Sequence, residues 1–278
     1  MKNRTVLRPA WVWTEEGPQR DRCVVLHHDK ILEVSPADRY PNVAESPSSL
    51  LLPGFVNAHS HAFQRAFRGH VQWAPAGRGD FWTWREQMYA AANRLDPDGI
   101  FAVSRLAFLE MVEAGFTTVG EFHYLHRTPD GLPYDDPQEL ARQVMRAADS
   151  VGLKIVLLRV LYAAGGLGQP LGPLQQRFRT DSVHEALAAV EALGERAGLA
   201  PHSVRAVPPS WWSSIAGYQG VVHSHVAEQP AEIEACLEAT GRTPLALIEE
   251  AGVLSDRFTA VHLTHPRGDE LERLRRSG

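Results

Sequence analysis

Cysteine is scarce, with Cys23 and Cys236 the two in a chain of 278 residues, and they lie far apart. That excludes a disulfide scaffold and fits a reducing cytoplasm. There is no basic surplus. Lys plus Arg is 28 against 33 for Asp plus Glu, a formal net charge of -5, so a general nucleic-acid binder is not expected. Long apolar runs are missing too. No window approaches the roughly 20 residues of a membrane span, and the opening Met1–Pro9 has no apolar stretch long enough for a signal peptide. Disorder is excluded as the main state, because hydrophobic residues make up 44% and charged residues 22%, ordinary values for a globular protein. The length suits one large α/β barrel or two modest domains, with a sizeable core.

What is abundant is histidine, at 13 residues. Its meaning depends on where the strands end. Residues 1–50 read as a small β unit, with strand-like runs at Ala10–Trp13, Arg22–Leu26 and Lys30–Val34 between polar stretches. From 51 to 278 the pattern changes to apolar runs alternating with helical segments. Strands are expected at Leu51–His59, Phe116–His123, Leu153–Tyr162, Val204–Pro208, Val221–Val226 and Phe258–Leu263. They are continuously apolar, as strands buried on both faces of a parallel sheet are. Helix punctuation separates them: Asp136-Pro137 and Gly152 bracket one helix, Ser182 to Glu185 matches a capping box, Pro230 and Pro244 suit first helical positions, and Gly241 and Gly252 suit helix ends. Such alternation implies a parallel sheet. The expected fold is α/β, a metal-dependent (β/α) TIM-type barrel that is incomplete, with about six of eight strands.

The histidines fall at strand ends. His59-Ser60-His61 closes the first strand, Glu121-Phe122-His123-Tyr124 the second, His223-Ser224-His225 lies in the fifth and His262 ends the sixth, with His202 before the fourth. Carboxyl ends of barrel strands form the active-site face. One histidine there reads as a satisfied core or rim residue, and a lone His-x-His is a weak signal. Repetition over several strands points to a metal site. His27, His28, His70, His126 and His184 fit no strand-end pattern and read as surface or structural. Trp82 and Trp84 read as packing, and Ala163–Thr180 reads equally well as a lid or a plain loop.

Pro53 to His61 resembles the first-strand signature of the amidohydrolase superfamily, and His225-x-x-Glu228 with His262 is similar to its deaminase branch. More narrowly, His59–Arg65, Phe81–Glu86, Gly120–Tyr124 and His225–Gln229 resemble the formiminoglutamate deiminases of histidine degradation. The resemblance runs along nearly the whole chain. It implies hydrolysis of N-formimino-L-glutamate to N-formyl-L-glutamate and ammonia with one Zn2+ per chain. It places His59, His61 and His225 as metal ligands. The residues alone leave His223 and His225 open, and the resemblance selects His225 because Glu228 follows it by three. Glu228 and His262 take proton-transfer and water-orienting places; Gln64, Arg85, Tyr124, His202 and Arg205 take substrate-contact places. The chemistry agrees: three protein nitrogens suit a water-activating ion, a carboxylate can protonate the leaving nitrogen, and arginine forks suit a dicarboxylate substrate. The resemblance also implies a homodimer; neither nucleic acid nor membrane is expected as a partner, and the cytoplasm is the expected location.

The chain departs from the family pattern in three places. It stops at Gly278, without strands seven and eight and the eighth-strand aspartate that is the family's fourth protein ligand, and is therefore expected to be C-terminally truncated. The crossover Pro209–Gly220 is short for a parallel connection. His265-Pro266-Arg267-Gly268 interrupts the helix start beyond His262. Two other readings stay open at this point: another amidohydrolase-superfamily enzyme acting on a different amidine or an aminopurine, and an inactive truncated remnant.

Overall fold

A computed structural model describes residues 4–28, 30–70 and 81–278, with backbone alone for 81–83. The chain divides into two compact units, Met1–Phe55 and Val56–Gly278.

The N-terminal unit holds strands β1 (Arg4–Leu7), β2 (Pro9–Thr14), β3 (Gly17–Gln19), β4 (Arg22–His27), β5 (Lys30–Pro36) and β6 (Ser46–Leu51). They form two three-stranded sheets, ordered β1-β4-β5 and β3-β2-β6. Cys23, Val24 and Val25 on β4 are buried. Leu51 pairs with Val12 of β2 and so belongs to this unit. The run expected from Leu51 to His59 is therefore two strands, because Pro53 and Gly54 break it: proline cannot donate to a ladder and glycine loosens the chain.

The second unit is built on one six-stranded sheet in the order β12-β11-β10-β9-β8-β7, each strand beside its sequence neighbour. Its strands are β7 (Phe55–Ser60), β8 (Phe116–His123), β9 (Lys154–Leu161), β10 (Ala197–Pro201), β11 (Val222–Val226) and β12 (Phe258–His262). The pairings from β8 through β12 are parallel. Helices α1 (Phe81–Ala92) and α2 (Pro97–Glu113) precede β8, α3 (Glu139–Val151) precedes β9, and α4 (Val183–Leu193) precedes β10. Then α5 (Pro209–Ile215) precedes β11, α6 (Pro230–Thr240) and α7 (Pro244–Glu250) precede β12, and α8 (Glu270–Arg276) follows it. This is the strand–helix order of a (β/α) barrel over six strands.

The helix ends follow local chemistry. The Asp96 carboxylate accepts from Gly99 N–H and Pro97 opens α2; the Ser182 hydroxyl accepts from Glu185 N–H at α4. Gly152 ends α3 at φ 76°, where a side chain would be strained. Glu185 does not close the capping box on Ser182; its carboxylate accepts instead from Asp181 N–H at 2.6 Å.

One strand lies elsewhere than the sequence reading put it. The fourth strand is Ala197–Pro201, and Val204–Pro208 is a turn whose Val204, Ala206 and Val207 are buried. Gly198 hides the strand. A Cβ there would stand 2.5 Å from Val221 Cγ2 and 3.1 Å from Leu158 Cδ2, so close sheet packing demands the residue that strand propensity disfavours. The shift places His202 just after a strand's carboxyl end. It also lengthens the crossover to β11, leaving room for α5. Within Ala163–Thr180, Gln175, Arg177 and Phe178 are buried, and Arg177 donates to Ala92 O at 2.6 Å, which anchors the later part of the segment.

Candidate metal centre and active-site pocket

Two strand ends bring three histidines to one point. His59 is the penultimate residue of β7, His61 follows it by two residues, and His225 is the penultimate residue of β11. The His59 Nε2 atom lies 3.0 Å from His61 Nε2 and 3.2 Å from His225 Nε2. In a tetrahedral site with Zn–N of about 2.0–2.1 Å, neighbouring nitrogens lie about 3.3–3.4 Å apart, so these two spacings suit one ion, and all three donor atoms lie within 4.8 Å of one another.

The tautomers fit as well. His61 Nδ1 lies 3.0 Å from Phe122 O and His225 Nδ1 lies 3.0 Å from His202 O. A carbonyl can only accept, so each Nδ1 carries the proton and each Nε2 presents a lone pair. Burial lowers the His59 imidazole to about 3, with His61 and His262 adding like charge. Burial likewise lowers His61 to about 4 and His225 well below its ordinary value. All three are neutral at pH 7, the form a metal requires.

His223, two residues before His225, stays outside the group. His123 ends β8 buried among cations, and burial followed by the Arg159 charge lowers it to about 3. His126 is buried and structural, its Nε2 donating to Val160 O at 3.0 Å.

A pocket of about 230 Å³ opens at this point, and every sequence-singled site residue lines it. The His262 ring stacks on His225 at 5.2 Å between centroids. His202 packs edge-on against His225 at 4.8 Å, and its Nδ1 lies 3.0 Å from Ser203 Oγ. Gln64 Nε2 donates to Tyr124 Oη at 3.1 Å, and Tyr124 donates to Met88 Sδ at 3.6 Å. Arg85 sits over the Tyr89 ring at 5.7 Å. Trp84 lines the same pocket, while the Trp82 side chain lies outside the described residues.

Beside Glu228 in the pocket stands Arg205. Its Nη2 donates to Glu228 Oε2 at 2.7 Å, while Glu228 Oε1 lies 3.8 Å from His262 Nε2. Behind them is Glu232, 2% exposed, whose Oε2 accepts from Glu228 N–H at 2.9 Å and whose Oε1 lies 3.7 Å from Arg205 Nε. Glu232 fixes a turn in which Ala227 takes φ 48°, strain that buried partners hold in place.

Glu121 plays a similar part on β8. Its Oε1 accepts from Ala62 N–H at 2.7 Å, tying down the turn that carries His61. Burial raises this carboxyl to about 8. Neither role shows in the sequence: Glu232 looks like an ordinary first-turn helix residue, and Glu121 stands in the Gly120–Tyr124 stretch without a part assigned to it. Tyr89 and Tyr162 also line the pocket without any sequence signal.

Comparisons with known proteins agree with this geometry. The model of the amidohydrolase family matches residues 50–278. The chain is 38% identical over 273 residues to the formimidoylglutamate deiminase of Pseudomonas aeruginosa, covering 95% of this chain and 60% of that protein. A crystal structure of an amidohydrolase from Brucella melitensis superposes at TM-score 0.86 with 31% identity, covering 98% of this chain and 63% of that one. An atrazine chlorohydrolase from Arthrobacter aurescens, solved with zinc, superposes at TM-score 0.77 with 21% identity, covering 98% of this chain and 64% of that one, and shares the fold. The chain thus spans under two thirds of the length of each of these relatives.

Proposed function

The chain belongs to the amidohydrolase family, and from that premise we propose that it serves a zinc-dependent deiminase converting N-formimino-L-glutamate to N-formyl-L-glutamate and ammonia in histidine degradation. One observation carries the reading: a single pocket holds three converging imidazoles, a carboxylate beside them, and two guanidinium groups. The 38% identity to a formimidoylglutamate deiminase supports the choice of substrate.

His59, His61 and His225 would hold the ion through their Nε2 atoms. A divalent ion bound there supplies Lewis-acid activation of water. The chain's own groups do the rest. Glu228 accepts the two protons of the attacking water in turn and passes each to the leaving nitrogen, which departs as ammonia. His262, 3.8 Å from Glu228 and stacked on His225, orients that exchange. Arg205 holds the Glu228 carboxylate in one rotamer, so the proton acceptor is aimed before substrate arrives. The Arg85 fork suits a carboxylate of the substrate, and Gln64 and Tyr124 set the pocket wall beside it. Phe122, whose ring lies 4.4 Å from that of His225, helps keep the centre dry, which strengthens every charge interaction there.

The test is ammonia release from N-formimino-L-glutamate by the enzyme carrying this chain and the remainder of its relatives' length. Wild type should turn over; Glu228→Gln should bind substrate and fail to turn over, since it keeps shape and loses the proton acceptor. Arg85→Lys should raise KM. A neutral aminopurine preferred over formiminoglutamate, or Glu228→Gln at wild-type rate, would overturn the reading.

A further inference from the structure

Away from the histidines, the pocket is bounded by a hydroxyl pair that the proposed chemistry has not used. The Tyr162 ring packs against His202 at 4.8 Å, and His202 packs against His225, so the pair sits one ring removed from the metal centre. Tyr89 Oη and Tyr162 Oη lie 2.9 Å apart, and Gln175 Nε2 donates to both, at 3.1 and 2.9 Å. All three residues are buried. The rings are wedged on Phe178, at 5.3 Å from Tyr89 and 5.6 Å from Tyr162.

The amide direction of Gln175 is fixed, because its Oε1 accepts from Gly172 N–H at 2.8 Å. Its two amide hydrogens therefore face the tyrosines. The hydrogens can then be counted. Gln175 spends both of its own, one on each phenol oxygen. One tyrosine spends its hydroxyl hydrogen on the other. The second hydroxyl hydrogen has no acceptor among the described residues. A buried donor left unspent costs about 1–3 kcal/mol, and both rings line the pocket, with the Arg85 guanidinium over the Tyr89 ring.

We propose that the Tyr89–Tyr162 hydroxyl pair, oriented by Gln175, is a ligand-binding element that donates one hydrogen bond to a substrate carboxylate beside Arg85. Two amide hydrogens pointing at the phenol oxygens force the remaining hydrogen outward, so the pair acts as a donor and disfavours a cation or a donor group at that place. The proposal rests on the dicarboxylate reading above, deepens it, and is tested apart from it.

The probe is glutarate, with the neutral diamide glutaramide as control, titrated by calorimetry into the zinc-loaded chain. Tyr89→Phe/Tyr162→Phe should weaken glutarate binding about ten- to hundredfold, leave zinc content unchanged and leave glutaramide binding unaffected. Removing the hydroxyl that faces the ligand should weaken glutarate binding, while the remaining phenol, freed of its partner, keeps a hydrogen to give, so neither single variant should weaken it as much as the double. The singles decide the matter if the double variant fails to fold. Glutarate bound equally by wild type and every variant, no glutarate binding by wild type, or equal loss for glutarate and glutaramide would overturn the proposal. Turnover separates the two ideas. Discriminating glutarate binding without turnover of formiminoglutamate sinks the substrate assignment and leaves this one standing.

Discussion

Gly120→Ala should damage the metal centre without touching any histidine. Gly120 lies on β8 beside β7, and an added Cβ would stand 2.7 Å from Ala58 O and 3.3 Å from Ala58 C. Ordinary carbon–oxygen contact begins near about 3.3 Å, so relief requires the strands to part by about 0.6 Å. The obstacle is backbone, which cannot rotate out of the way. Ala58 immediately precedes His59, so the displacement is delivered to the ligands. Metal–ligand distances tolerate about 0.2 Å, several times less than the shift. Overpacking of this kind costs about 1–3 kcal/mol, and a disturbed ligand shell about 10- to 100-fold in metal affinity. The assay is competition for zinc against a chromophoric chelator, with urea unfolding on the same samples. Gly152→Ala is the control. Its φ is +76° and nothing lies within 4 Å of the added carbon, so it should cost about 1–2 kcal/mol in backbone strain and leave zinc affinity alone. Wild-type zinc affinity in Gly120→Ala would refute the reasoning.

Two further outcomes follow from burial. Trp212 on α5 is fully buried in the second core cluster, so Trp212→Ala should cost about 3–5 kcal/mol in urea unfolding; a loss under 1 kcal/mol would show that α5 is not packed as described. Glu121 is raised by burial from 4.5 to about 8, so its folded-state penalty is absent below pH 4.5 and grows until pH 8. Glu121→Gln keeps an oxygen for Ala62 N–H, and in the metal-free chain it should match wild type near pH 4 and gain stability up to a few kcal/mol near pH 8. A pH-independent difference between the two proteins would contradict the assignment.

The parts of the molecule that could be read from residues are those where one rule acted alone. Phe116–His123 reads as a strand from its β-branched and aromatic residues, and the strand occupies those residues. Pro230 and Pro244 open α6 and α7 where their missing N–H groups cost nothing. The fourth strand was misplaced because packing against Val221 forces glycine into it, while apolar Val204 and Val207 fill a buried turn that mimics a strand. Strand-end position singles out His59, His61 and His225, which the structure brings together, but equally His123, which is buried beside Arg159 and outside that group. Arg205 was legible as a pocket residue, but its engagement with Glu228 and Glu232 was not, because 23 residues separate the first pair and no periodicity links them. The same holds for Tyr89, Tyr162 and Gln175, joined across 86 residues of chain between Tyr89 and Gln175.

β7 and β12 are the two outer strands of the six-stranded sheet, and Val56 on β7 is exposed. Outer strands of a sheet invite pairing between chains. A polypeptide of these 278 residues is therefore expected to self-associate at high concentration in analytical ultracentrifugation, and a monomer throughout would show the edges to be protected.

The central claim is that His59, His61 and His225 form one metal centre, and zinc stoichiometry tests it most directly. Elemental analysis should find one zinc per chain in the wild type. His59→Ala, His61→Ala and His225→Ala should each lose it, while His223→Ala, whose ring lies outside the converging group, should keep it. Zinc retained in any of the first three, or lost from His223→Ala, would contradict the account.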